Sequence, residues 1–462
     1  MKSVICLLVD RFHSAFLGPY GNGEIETPTL NRLAAESFLA DRFYVDTPDP
    51  ILQCRSWWQG RHVVSHTLAG DSGHTTQADH AFPTIMAQLN ASGYRTVLMT
   101  DDPMVAHSLD AGDFADVQLL AIPESTTPCE EIEHTHLCAM LATIAATAES
   151  LSQSGSPFFL WCHLRGFDTN WDFPLWLREQ YRGEDDPAPW PEVTPPYVTK
   201  NTTDNESPLS PDSWDDFRQS VVSAYAAGVT MFDELLEMLT EPLRVGEFGS
   251  ETLFLLAGTR GVLFGECDVV GIPASTFEPM ASSLVQPPLI VRFPDGRAAT
   301  VRSDAILQPA DVTQLLREWL ELPLSGCVQT APSAWYACRS MLALIDEEPQ
   351  KLREHASIIT IIDGDTSSGG DAYDDDNVRD DNMTCDDNGS DKSVMSCLVT
   401  PTWFLQQLEI PKNDDKSQSQ DNLADQFALY VKPDDRWDVN NVADRCVEIV
   451  EQLFETLYVP RV

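Results

Sequence analysis

A chain of 462 residues with 43 % hydrophobic content can bury a large core without disulfides or structural metal, which excludes a mostly disordered protein. Its 72 acidic residues against 29 basic ones leave a net charge of −43. Backbone phosphates reward Lys and Arg, so this balance argues against nucleic acid or an anionic membrane as a partner.

In chain order, residues 4–9, within a predicted strand over 3–9, form a continuous apolar run that ends at Asp10. It is too short for a membrane span and lacks a small-residue cleavage site, so it predicts a buried strand. Further strands are predicted over 94–100, 116–120, 157–163, 251–257 and 288–293. Helices are predicted over 28–37, opened by Thr27 and Pro28, and over 82–92, closed by Gly93. Others cover 130–152, 213–239 and 309–320. The alternation predicts an α/β fold with a mixed central sheet flanked by helices, extending over 1–338. From 339 to 462 the texture becomes that of a small α+β subdomain, with strands over 357–362, 396–400 and 427–432 and a closing helix over 442–458. An insert at 363–391 holds 11 Asp and a single Arg and predicts a mobile loop, and 178–210 reads as a second long loop. Eleven cysteines without a Cys-x-x-Cys pair are the usage of a reducing compartment, which predicts a cytoplasmic protein.

Ligands of open parallel sheets bind beyond the carboxyl ends of the strands. Asp10, Asp101-Asp102, His163 and Thr259-Arg260 all follow predicted strands and are expected to converge on one crevice.

The stretch around Asp10, Leu17-Gly18, Tyr20-Gly21-Asn22 and Thr27-Pro28 through Ala34 resembles the opening of the sulfatase family, in the alkaline-phosphatase superfamily. Residues 157–172, the Tyr225-Ala226 helix with Asp233, the 253–266 strand and the tail from Pro401 are similar to later family segments. The resemblance implies a Ca²⁺ held by a strand-end Asp-Asp pair and an Asp-His or Asp-Asn pair. It also implies a Cys or Ser nucleophile oxidised to formylglycine in the motif C-x-P-S-R-x-x-L-L-T-G-R, and Lys and His groups that grip sulfate.

Carried over residue by residue, that machinery is missing. Asp10 remains as the one metal-ligand candidate, followed by Arg11 in place of the second Asp. The later pair reads Thr259-Arg260. With Gln59-Gly60-Arg61 aligned on Thr-Gly-Arg, Pro50 falls on the nucleophile and Cys54 on its activating Arg. Phe167 or Asp168 replaces the sulfate-binding histidine, and no Lys or His follows Gly93-Tyr94-Arg95-Thr96 in its place. These replacements predict no catalytic residue and no cofactor, with Ca²⁺ expected only if rearranged residues such as Asp10, His13 and His163 recreate a hydrolase. Arg11, Arg55, His163 and Arg260 are candidate substrate- or anion-binding groups, with Arg165 also near the site. Arg11 is expected to pair with Asp10 and plug the metal position. The expected partner is a small anionic ester or a protein. Convergence of Asp101, Asp102 and Asp168 on Asp10 would instead point to a relocated metal site.

Overall fold

The computed structural model describes residues 2–64, 83–121, 125–200, 210–273, 278–322, 338–346, 352–363, 392–408 and 423–457. Its strands are β1 (Ser3–Val9), β2 (Phe38–Phe43), β3 (Arg95–Thr100), β4 (Asp116–Leu119), β5 (Phe158–Leu164), β6 (Tyr197–Thr199), β7 (Thr252–Gly258) and β8 (Leu263–Phe264). They continue as β9 (Val269–Gly271), β10 (Leu289–Arg292), β11 (Val301–Leu307), β12 (Ala356–Asp363), β13 (Lys392–Val399), β14 (Trp403–Gln407) and β15 (Phe427–Val431). Helices of seven residues or more, among the described residues, are α1 (Pro28–Ala35), α2 (Pro50–Gln59), α3 (Ile85–Ala91), α4 (His136–Gln153), α5 (Pro211–Val245), α6 (Pro309–Trp319) and α7 (Val447–Thr456).

Eight strands form the central sheet in the order β11-β2-β10-β7-β1-β5-β3-β4, and β10 alone runs against its neighbours. β1 lies in the middle between β7 and β5, so its carboxyl end is surrounded by the ends of both. Its alternating side chains enter two cores. Val4, Cys6 and Leu8 pack on the face covered by α2, α3 and α6, and Ile5, Leu7 and Val9 on the face covered by α1, α4 and α5. This is the mixed α/β architecture that the alternation of elements predicts. A separate sheet, β12-β13-β14-β15, follows, and Ile358, Met395 and Phe404 from it join the first core. A short three-stranded sheet, β6-β9-β8, completes the topology.

The predicted strands of the central sheet fall within a residue of their observed positions, but β2 and β11 were not foreseen. Asp41-Arg42 and Arg302 with Asp304 interrupt the apolar pattern of those strands, because their polar side chains meet solvent at the sheet margin. α2 escaped notice too: its Pro50 occupies the first helical turn, and Asp49 caps it by accepting from the Ile51 and Leu52 amides at 2.8 and 2.9 Å. The acidic insert lies outside the described residues from 364 onward.

The segment 165–193, which carries Asp168, is pinned by Arg178. Read from sequence as the start of a loop, Arg178 is instead buried, at the end of a short helix, with no carboxylate in ion-pair contact among the described residues and Asp172 acting only at longer range. Its guanidinium donates to the carbonyls of Phe173 and Glu192, both at 3.1 Å, and to those of Trp171 and Trp190. Arg178→Lys removes donors that four carbonyls share and is expected to cost about 2–4 kcal/mol in urea unfolding. A variant as stable as the parent would show that this segment is held by other contacts.

Candidate functional site

The end of β1 begins with Asp10, whose two carboxylate oxygens are fully engaged. Oδ1 accepts from the Arg11 amide at 2.9 Å, the Thr259 hydroxyl at 2.5 Å and Arg260 Nε at 3.0 Å, and Oδ2 accepts from Arg260 Nη2 at 2.9 Å. Thr259 and Arg260 are delivered by the end of β7, where the Thr259 amide continues the ladder onto the Val9 carbonyl at 3.1 Å. Sequence reasoning brought these three residues together correctly.

It misjudged the partner of Arg11. The Arg11 side chain does not turn back onto Asp10. It donates from Nε to Asp168 at 2.9 Å and, as a two-pronged fork, to the two oxygens of Glu278 at 2.5 and 2.6 Å. Arg260 is the group that plugs Asp10, and it reaches Asp168 at 3.1 Å and Glu278 at 3.3 Å as well. Two guanidinium groups are thus interleaved with three carboxylates. Asp10, Arg11 and Glu278 are buried, Arg260 is nearly so, and Asp168 keeps some contact with solvent.

The backbone enforces this geometry. Arg11 is a non-glycine residue with φ of +59°, in the left-handed region that costs strain. Tyr225 on α5 clamps it, its hydroxyl donating to the Arg11 carbonyl at 2.5 Å and accepting from the His13 amide at 2.9 Å. One face of the same helix carries Asp233, which accepts from the Thr29 and Leu30 amides and so caps α1. On α2, Gln53 donates to the Thr259 carbonyl at 2.7 Å and ties that helix to the cluster.

Burial alone would raise the Asp10 carboxyl, but the Arg260 guanidinium first and Arg11 second override it and hold Asp10 at about 2. Burial likewise opposes the charge on Arg260, yet Asp10 and Asp168 push it above the ordinary guanidinium range. The cluster is ionised, and its two cations are committed to carboxylates.

Other candidates form their own contacts, although His163 is near enough to feel the charges of Asp102, Asp10, Asp101 and Arg260. Arg55 pairs with Asp110 at 3.7 Å. Arg165 pairs with Asp101 at 3.7 Å, and Asp101 also meets His136 at 3.2 Å. Asp102 caps the turn at 103–106. The expected single crevice is therefore divided: Asp168 joins Asp10, while Asp101 and Asp102 do not. His163 sits beside the Cys54 thiol, Nδ1 to Sγ 3.8 Å. Burial lowers the imidazole and raises the thiol, so the pair is neutral. His13 stands away from His163, against Phe16, Phe264 and Trp437. Glu278 escaped the sequence reading altogether. A lone glutamate in a loop carries no motif, and only the need to balance two buried guanidiniums could have called for it.

A Ca²⁺ does not fit these residues. Asp10 has no free oxygen, and Arg11 and Arg260 bring cations where a divalent ion would need carboxylates and neutral oxygens. Among the described residues no group of three His, Cys, Asp or Glu is placed to hold a metal ion.

A family model described as Sulfatase matches residues 2–322. No curated protein sequence matches the chain. Among solved structures it is similar to the phosphonate monoester hydrolase of Agrobacterium radiobacter, with a TM-score of 0.68 at 13% identity, covering 99% of this chain and 94% of that one. The phosphonate monoester hydrolase of Silicibacter pomeroyi gives 0.63 at 12% identity, covering 99% and 95%. A protein solved with its substrate D-glucosamine-2-N,6-O-disulfate gives 0.64 at 15% identity, covering 98% and 97%. These likenesses establish the fold.

Because Asp10 titrates at about 2 in the fold against an ordinary 3.8, its ionisation stabilises the protein fully above pH 4 and ceases to do so as pH falls toward 2. Acid unfolding followed by circular dichroism is expected to show a loss on the order of 2 kcal/mol over that window, absent in Asp10→Asn. Removing one cation with Arg260→Met leaves three carboxylates, two of them buried, against one guanidinium and is expected to cost about 3–5 kcal/mol at neutral pH.

Proposed function

Since this chain belongs to the sulfatase family, and an ionised Arg–carboxylate cluster fills the place where that family's cation would sit, we propose that it is a pseudoenzyme. It keeps the family scaffold and acts as a binding or regulatory protein without metal-dependent ester hydrolysis. The observation that carries this reading is the Arg260 guanidinium lying across both oxygens of Asp10. Preorganised charge is the largest catalytic contribution in most enzymes, and one lost donor costs about 10²–10³ in rate. Here the nucleophile position holds Pro50, which has no nucleophilic side-chain atom and serves as the first residue of α2. The Cys54 thiol, which takes the place of the activating guanidinium, is buried and neutral. Phe167 or Asp168 takes the place of the sulfate-binding histidine, and neither offers an anionic ester a donor.

We place the protein in the cytoplasm, with a small anionic ester or a protein as partner rather than nucleic acid or a membrane. The nine described cysteines are all free thiols, which suits a reducing compartment. No described helix is long and apolar enough to cross a membrane.

A second reading is a hydrolase with rearranged residues, favoured by the contact between Cys54 and His163. A panel of aryl sulfates and phosphates, with and without Ca²⁺, separates the two. No turnover above background is expected, and steady turnover lost in Cys54→Ala or Asp10→Ala would establish the hydrolase. Conversely, Arg11→Asp, Thr259→Asp and Arg260→Asn together are expected to create Ca²⁺ binding visible by calorimetry. Equal binding by the unmodified protein would overturn the pseudoenzyme reading.

A further inference from the structure

A second basic site lies beside, but outside, the Asp10 cluster. Between the loop after β1, the ends of β2 and β11, and the loop after β15 is a cavity of about 350 Å³. Its lining includes His13, Arg42, Arg302, Lys432, Arg436 and Trp437, and none of Asp10, Arg11, Asp168, Arg260 or Glu278. The volume is at the lower end of the range for small-molecule pockets, larger than a bare ion needs.

The charges there are not all spoken for. Arg302 is held by Asp41 at 2.6 Å, and Lys432 is paired with Asp438. Arg42 donates to the Pro401 carbonyl at 3.1 Å, and Arg436 to the Tyr20 carbonyl at 3.5 Å. Among the described residues neither of these two guanidiniums meets a carboxylate. In a chain with 72 acids and 29 bases, two arginines facing one cavity with no carboxylate in ion-pair contact among the described residues are unexpected. Asp41 and Asp304 also line the cavity: Asp41 is bound by Arg302 and acts on Arg436 only at longer range, and Asp304 is exposed to solvent.

His13 adds an independent observation. Its Nδ1 accepts from the Ala15 amide at 3.1 Å, which leaves the ring proton on Nε2. The side chain is 2% exposed, and among the described residues Nε2 finds no acceptor. A buried donor left without an acceptor costs about 1–3 kcal/mol. Trp437 supplies a ring face: it is 46% exposed, and the Arg436 guanidinium lies 5.3 Å from its centroid.

We propose that this cavity binds a small ring-bearing molecule through a tetrahedral oxyanion, a sulfate or phosphate ester, with Arg42 and Arg436 gripping the anion and Trp437 stacking on the ring. The donors arrive from separate elements, β2 below and the loop after β15 across from it, and not as one planar fork, which suits a tetrahedral group better than a carboxylate. The site is independent of whether the Asp10 cluster turns over any ester, so it stands or falls apart from the pseudoenzyme reading.

Calorimetry on the full chain at constant ionic strength tests it, using inorganic sulfate, inorganic phosphate, phenyl sulfate, phenyl phosphate and benzoate as probes. Saturable binding of a sulfate or phosphate probe is expected, with the phenyl ester about fivefold tighter than its inorganic anion. Arg42→Met with Arg436→Met is expected to weaken the ester at least tenfold, and Trp437→Ala to abolish the advantage of the ring. Arg244→Met, an exposed arginine outside the cavity that pairs with Glu241, is expected to bind as the parent does. Should the double variant fail to fold by circular dichroism, Arg436→Met alone, at an exposed position, gives the same reading. No saturable binding of any sulfate or phosphate probe, tighter binding of benzoate, or unchanged affinity in the arginine variants would overturn the proposal.

Discussion

Two guanidinium groups locked among three carboxylates at the tip of the central strand are the constraint on which the site depends. Charges taken out of water are costly unless each finds an opposite charge in good geometry. The cluster meets that condition by sharing. Arg260 serves Asp10, Asp168 and Glu278, and Arg11 serves the last two, so no carboxylate depends on a single donor. The strained Arg11 backbone and the Tyr225 clamp follow from this, because only that turn aims the Arg11 fork away from Asp10 and into Glu278.

The scaffold around the cluster separates two kinds of likeness. Segments that hold the frame, such as Tyr225 and Asp233 on α5 and the turn at Thr27-Pro28, do structural work that does not require catalysis: they clamp the first loop and cap α1. The end of β1 carries an Arg–carboxylate cluster inside a chain that matches the family model over residues 2–322.

Much of the fold was legible because the central strands are continuous apolar runs bounded by turn residues. The strands missed, β2 and β11, carry charged side chains at the sheet margin, where solvent relaxes the pattern. In the site, the presence of Arg11 and Arg260 at the strand ends was readable from motif alignment, since each lies a few residues from a strong landmark. Which carboxylate each would meet was not, because Asp168 and Glu278 come from loops 157 and 267 residues away along the chain from Arg11. The setting of Arg42 and Arg436 was equally hidden: among the described residues they meet carbonyls and no carboxylate, and that is a property of three-dimensional packing alone.

Sharing of donors also makes the cluster hard to dismantle one residue at a time. Removing Arg11 or Arg260 alone leaves three carboxylates to one guanidinium, while removing both leaves a cluster that only an external cation could neutralise. An ion-binding centre at this strand end would thus need both arginines to change together, and epistasis separates this sequence from it.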